Sequence, residues 1–280
     1  MSAAFRPVEP AVMRRAAADA ERSAFRAALG AALRTLAAGA VSAALSLGAW
    51  QAFRWATASP WFAVREIRFS GLVHASEADL LRRSGLAAGE NLFRADLPRA
   101  ARGIEGHPWV AAARIDRQVP GTLLVEVREH RPAALVRLGS LYVLDDEGRL
   151  FKRASPEDGL DLPIITGLSR EGWEEKRPEL QLRLLAALHL LDTWRTAGFQ
   201  ISALSEVRLD EDGAFTLFAH DGGGEGVQEI RLGADQLPLK LRRLAQVRAA
   251  LARRGERATR IDLDNPARPD QAAATLADKR

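Results

Sequence analysis

WVAAARIDRQVPGTLLVEVREHRP (109–132) is the most ordered passage in the chain. Ala111, Ala113 and Ile115 alternate with their neighbours at a period of two, and Leu123, Val125 and Val127 do the same. That period places one set of side chains on one face of an extended strand. Pro120-Gly121 stands between the two runs as a turn signal, so the passage reads as a β-hairpin whose inward face carries Leu123, Val125 and Val127.

Working back towards the N-terminus, VREIRFSGL (64–72) reads as a strand with Ile67 and Phe69 on one face. Ser76 is placed to cap a helix, with Glu77 and Asp79 in the first turn and Gly85 at the end. A second short helix is expected from Leu97 to Glu105, after Asp96, with Pro98 early, where proline costs little. The order over 61–132 is therefore strand–helix–helix–strand–strand.

Working forward, a second domain is expected over 133–280. LVRLGSLYVLDDEGRLFKR (135–153) reads as two strands around the turn Asp145-Asp146-Glu147-Gly148. Residues 155–178 hold three prolines and little periodicity and read as loop. Leu180, Leu184, Leu188 and Leu191 have helical spacing up to about Ala197, with Gly198 closing the helix. Strands are expected at 204–210, 214–220 and 227–233, then a helix carrying Leu237, Leu241, Leu244, Val247 and Leu251. RIDLD (260–264) is read as the last strand, with 269–278 as a further strand or a frayed end.

The N-terminal part has a different character. TLAAGAVSAALSLGAWQAF (35–53) is a run of nineteen residues without charge, flanked by Arg34 and Arg54. At about 1.5 Å per residue it covers about 28 Å, close to the ~30 Å hydrocarbon thickness of a bilayer. Trp50 and Trp55 sit where an interfacial belt belongs, and the arginines of 1–34 outnumber its acids, which keeps that tail in the cytoplasm. The expected division is a cytoplasmic tail (1–34), a transmembrane helix (35–55) and two external domains (61–132, 133–280). Cleavage after Ala56-Thr57-Ala58, as a signal peptide, is the rival reading; the long apolar run and long basic leader favour an uncleaved anchor.

Composition narrows the function. The 280 residues carry 40 Lys+Arg against 36 Asp+Glu, a net charge of +4, five His and no Cys. Thiol nucleophiles, disulfides and Cys-based metal sites are excluded. The histidines (74, 107, 130, 189, 220) have no ligand spacing, and no GxSxG, SxxK or P-loop pattern occurs. GGGEG (222–226) precedes a strand rather than a helix and reads as a hairpin loop; Asp145, Asp146 and Glu147 read as turn residues, and His107 as a turn residue before Pro108. Lys240, Arg242, Arg243, Arg248, Arg253 and Arg254 read as the solvated face of a packed helix, not a nucleic-acid surface. No cofactor, small-molecule substrate or nucleic-acid partner is expected.

With a basic tail, one span and this strand order, HPWVAAARIDRQVPGTLLVEVREHRPAAL (107–135), YVLDDEGRLF (142–151), LPIITG (162–167), IRLGADQLPLKLRRL (230–244) and IDLD (261–264) together resemble the bacterial cell-division FtsQ/DivIB family. The resemblance implies an α+β protein: a transmembrane helix, a POTRA domain (β-α-α-β-β), then a "β domain" built on an antiparallel sheet with two helices. It also implies a non-enzymatic, single-pass inner-membrane scaffold at the septum with its C-terminal domains in the periplasm. The family recruits FtsB and FtsL by strand addition to the edge of the last strand, which maps here to Arg260, Ile261, Asp262, Leu263 and Asp264. The chain departs from the family pattern at Arg260 and Asp264-Asn265, and Pro266 and Pro269 remove backbone donors there. A POTRA-type chaperone or secretion factor and, more remotely, a periplasmic enzyme are the alternatives. A secretion factor would need many barrel strands, and too little chain remains for them.

Overall fold

The computed structural model describes residues 10–220, 226–265, 268 and 271–277, with side chains at Arg26 and from Leu29 onward. Pro266, Pro269 and the glycines of 222–224 lie outside the described residues.

Helix α1 spans Pro10–Ala58, so it starts well before the apolar run. Its segment Leu29–Ala58 is long and apolar enough to cross a membrane, and no residue of its most apolar stretch is buried by protein. At about 1.5 Å per residue that segment measures about 45 Å, beyond the ~30 Å hydrocarbon core. A helix whose apolar run is uncovered by the rest of the chain has the surface of a membrane span.

Past α1, a compact unit joins this helix and a 3-10 turn (Pro60–Phe62) to the segments Leu86–Asp96 and Asp116–Leu124. A second unit takes in Phe69–Gly85, Leu97–Ile115 and the chain from Val125 onward.

The first sheet has three strands, β1 (Glu66–Ser70), β2 (Val110–Gln118) and β3 (Thr122–Glu129), in the order β1-β3-β2. Ile67 and Phe69 share the less exposed face of β1, and Leu123, Val125 and Val127 are all buried, as the alternation predicts. Between β1 and β2 lie α2 (Glu77–Ser84) and α3 (Leu97–Glu105). The Ser76 hydroxyl accepts the Asp79 N–H at 3.2 Å, and Gly85 ends α2 with φ 67°, the left-handed conformation glycine adopts at no steric cost. Gly103 lets the two helices touch backbone to backbone: a Cβ there would stand 2.2 Å from the Arg83 carbonyl oxygen.

The second sheet has nine strands: β4 (Pro132–Leu138), β5 (Ser140–Asp145), β6 (Leu150–Arg153), β7 (Ile164–Thr166), β8 (Leu204–Leu209), β9 (Phe215–His220), β10 (Val227–Gly233), β11 (Ala258–Asp262) and β12 (Ala273–Leu276). Its order is β12-β11-β10-β9-β8-β7-β4-β5-β6. Two details differ from the sequence reading. The stretch 135–153 forms three strands, because Gly139 turns the chain at φ 72° between β4 and β5. The expected loop 155–178 contains β7 and a short helix α4 (Arg170–Glu175). β7 is only three residues long, too short to show a period, yet it lies mid-sheet, parallel to both β4 and β8. Together with the parallel β10–β11 pair this makes the sheet mixed.

Helices α5 (Arg177–Thr196) and α6 (Leu237–Arg253) supply the rest of the core. Leu184, Ala187, Leu190, Trp194, Leu241 and Leu244 join Ile165, Val207, Leu217, Ile230 and Ile261 in one buried cluster. Trp194 keeps its polar handle satisfied, donating to the Gln200 carbonyl at 3.1 Å.

Candidate partner-binding edge of the sheet

β11 lies against β10 in parallel register, with Glu229 opposite Arg260, Ile230 opposite Ile261 and Arg231 opposite Asp262. The Leu263 N–H then donates to the Arg231 carbonyl at 2.9 Å, extending the contact one residue past the strand. Gln228, buried in β10, donates from its amide to the Ala258 carbonyl at 2.9 Å and accepts from Arg248 Nε at 2.9 Å. These bonds pin β11 on its inner side.

The other side of β11 is not open. β12 pairs with it antiparallel, Asp262 opposite Ala273, Ile261 opposite Ala274 and Arg260 opposite Thr275. Residues 260–262 therefore lie one strand in from the edge, and the expectation that this stretch is the open edge is corrected: the terminal strand is Ala273–Leu276, while Leu263 and Asp264 lie past the end of β11. The reason is non-local. AATL has little β-propensity and no telling period, and takes strand form through the β11 ladder beside it.

The five expected residues divide accordingly. Ile261 and Leu263 are fully buried in the core. Arg260 is exposed and stands 3.8 Å from Glu229; Asp262 lies 3.6 Å from Arg231 and accepts the Asp264 N–H at 2.9 Å. Asp264 accepts from Lys240 Nζ at 2.9 Å.

Lys240 also departs from expectation. It is buried, not on the solvated face of α6, and its ammonium donates to the Leu232 carbonyl at 2.7 Å and to Asp235 at 2.8 Å as well as to Asp264. Burial pushes its pKa down, but the hydrogen bonds to the two carboxylates outweigh this and hold it above the usual lysine value. The same hydrogen bond holds Asp235 below the ordinary carboxylate value. Gly233, at φ 68°, makes room for this knot: a Cβ there would meet the Asp264 carboxylate at 2.2 Å. Arg248 likewise leaves the solvated face, its guanidinium lying over the Trp194 and Phe199 rings. A lysine at an i, i+4 core-facing position of α6 (Leu237, Leu241, Leu244) was the available signal for the first of these.

β12 itself is exposed throughout, with Leu276 half exposed. The Thr259 hydroxyl donates to the Thr275 carbonyl at 3.3 Å, and Ala277 N–H donates to the Arg257 carbonyl at 2.8 Å, tying its end down. An exposed strand held in register on one side offers its other row of N–H and C=O groups to an incoming chain.

Three of the histidines are held in hydrogen-bonded contacts within the fold. His107 Nδ1 accepts the Trp109 N–H at 3.3 Å. His74 sits against Glu129 at 3.0 Å and His130 against the buried Asp145 at 2.7 Å. Asp145 also accepts the Glu147 and Arg149 N–H groups, the turn role expected of it. Among the described residues, no three His, Asp or Glu side chains converge as metal ligands.

An apolar membrane-crossing helix, a strand–helix–helix–strand–strand domain and a nine-stranded mixed sheet ending in an exposed strand define a membrane-anchored POTRA protein. Residues 62–130 match the family described as "POTRA domain, FtsQ-type", and residues 134–264 match "Cell division protein FtsQ/DivIB, C-terminal". The chain is 44% identical over 239 residues to the cell division protein FtsQ of Anaeromyxobacter sp. (strain K), covering 85% of this chain and 80% of that one. It is 42% identical over 224 residues to FtsQ of Myxococcus fulvus, covering 80% and 77% of the two chains. Against FtsQ of Geobacter sp. (strain M21) it is 31% identical over 226 residues, 80% and 81% of the two. The chain belongs to the FtsQ/DivIB family of cell-division proteins, and is a single-pass membrane protein of the divisome.

Proposed function

We propose that this chain is a non-enzymatic scaffold linking early and late division proteins, and that it recruits the FtsB/FtsL pair by strand addition at the C-terminal edge of its second sheet. The observation that carries this is the exposed β12, held in register by β11 while its outer side faces away from the ladder. Arg260, Ile261, Asp262, Leu263 and Asp264 form the platform in this reading. Ile261 in β11 and Leu263 just past its end are buried in the core, and Arg260, Asp262 and Asp264 carry the charge beside them. Main-chain hydrogen bonds supply affinity in such an arrangement, and the alternate side chains supply selectivity. The arginine-rich leader favours a cytoplasmic N-terminus, so the expected tail (1–34), span (35–55), POTRA domain (61–132) and β domain (133–280) put the edge in the periplasm, at the septum.

The test is capture of FtsB/FtsL ectodomains by the detergent-solubilised full chain and by a chain ending at Gln271, which loses β12 but keeps Leu263 and the Lys240–Asp264 contact. Loss of capture with unchanged melting supports the β12 edge. Undiminished capture by the shortened chain overturns it.

A further inference from the structure

The last turn of α1 is held by the first domain rather than ending in a free tether. Asn91 donates from its side-chain amide to the carbonyls of Ala56 (2.9 Å) and Ser59 (3.2 Å), and its own oxygen accepts the Phe93 N–H at 3.0 Å. Carbonyls at a helix C-terminus have no partner within the helix, so this amide completes the end of α1. Backbone bonds reinforce the junction: Leu92 N–H to Phe62 O at 2.7 Å, Val64 N–H to Glu90 O at 2.7 Å and Gly89 N–H to Val64 O at 2.8 Å. Arg117 closes the same loop from the hairpin, donating to the carbonyls of Leu92 (2.7 Å) and Ala95 (2.9 Å).

Aromatic rings continue the contact. Trp55 meets Phe62 edge-on with centroids 5.9 Å apart, and Phe62 meets Phe93 at 5.1 Å. The outer members of this group are left uncovered: Trp55 is 64% exposed, Trp61 63% and Phe93 38%. Arg65 lies over the Trp61 ring at 5.9 Å, and Arg54 over Trp50 at 4.8 Å. Large apolar rings kept exposed beside guanidinium groups, directly continuous with an apolar span that ends at Ala58, have the composition of a bilayer interface. We infer that this tip of the first domain, Trp61 and Phe93 above all, docks in the headgroup layer of the membrane that α1 crosses, with Asn91 fixing the tip to the helix end. The bilayer is the occupant because the patch begins where the span stops. Arg54 and Arg65 suit lipid phosphates.

This rests on α1 spanning the membrane, so the experiment separates the two ideas. The chain has no cysteine, and a single spin label can be attached at Leu45→Cys, Arg94→Cys or Glu157→Cys without background. With the full chain in nanodiscs of phosphatidylethanolamine and phosphatidylglycerol, the accessibility of each label to oxygen and to a water-soluble nickel chelate is measured. The label at 94 should resemble that at 45 more than that at 157. Trp61→Ala with Phe93→Ser should shift it to the water-like value of 157, and Asn91→Ala should raise its mobility. A water-like label at 94 in the parent, or one indifferent to the Trp61 and Phe93 substitutions, overturns the docking while position 45 still reports lipid. A water-like label at 45 overturns the span, and the docking with it.

Discussion

The imidazole of His74 lies flat on the indole of Trp109, with ring centroids 3.8 Å apart and planes within 4°. The column continues through Phe151, 5.3 Å from Trp109, to His130, whose ring stacks on Phe151 at 4.4 Å. A carboxylate steadies each end: Glu129 on His74 and Asp145 on His130. Lys152 adds its ammonium 5.0 Å from the Trp109 centroid and reaches Asp158 at 2.5 Å. Scattered in sequence, these residues form two stacked ring pairs joined by the tilted Trp109–Phe151 contact, with a carboxylate at each end.

Acid should weaken this region in two steps. Burial raises the Glu129 pKa, but the N–H groups of Val73, Ala75 and His74, with the His74 side chain, hold it below the ordinary 4.5. A carboxyl lowered on folding contributes stability that is complete above its unfolded value and lost as pH falls through the folded one. His107 is lowered from 6.5, first by burial and then by Arg83, so its contribution is lost as pH falls below 6.5. Melting temperature should therefore decline first below about pH 6.5 and again below about pH 4.5. Glu129→Gln should shrink the second limb, leaving the part that the lowered carboxyls of Asp79 and Asp158 supply, and Glu129→Ala should cost roughly 3 kcal/mol at neutral pH by orphaning three backbone donors. A pH profile with the second limb intact in Glu129→Gln would refute the assignment.

Gly103→Ala sets two effects against each other. Alanine gains about 1 kcal/mol of helix propensity over glycine. The new methyl would sit 2.2 Å from the Arg83 carbonyl oxygen, which is backbone and cannot swing aside, and such overpacking costs about 1–3 kcal/mol. The expected outcome of thermal unfolding is a net loss, with α2 and α3 pushed apart. A variant melting above its parent would show that the helices do not touch there.

Lys240→Met should be strongly destabilising although methionine fills the same space. It leaves the Leu232 carbonyl and the Asp264 carboxylate without their shared donor, a cost of about 2–4 kcal/mol. Because the Lys240 pKa is raised on folding, its contribution holds below the ordinary 10.5 and is lost as pH climbs through the folded value. Exposed Arg242, on the same helix, should change stability by less than about 0.5 kcal/mol when made alanine. Urea midpoints at neutral pH and at about pH 11 check both statements. Equal midpoints for Lys240→Met and Arg242→Ala would return Lys240 to the solvated face.

Much of the architecture is legible in the sequence. The Ser76 cap, Gly85, the hairpin on either side of Pro120-Gly121, α3 and the strands near 204, 215 and 227 all depend on residues a few positions apart, so periodicity and turn chemistry expose them. Less legible were β7 and the break at Gly139. Three residues show no period, and Gly139 stands between two apolar stretches that read as one strand.

The sequence by itself determined the apolar span, the order of elements and the inward faces of the hairpin and helices, because each follows from local propensity and from which side chains water rejects. Only the tertiary structure decided that Ala273–Leu276 covers β11, that Lys240 turns inward to Asp264, and that Asn91 closes the end of α1. Each of these joins groups far apart in the sequence, as Ala258 and Leu276 or Ala56 and Asn91 are, or supplies a buried carbonyl with a donor from another element. Such pairings are set by where the chain brings unsatisfied backbone and charge together, and no local pattern encodes that.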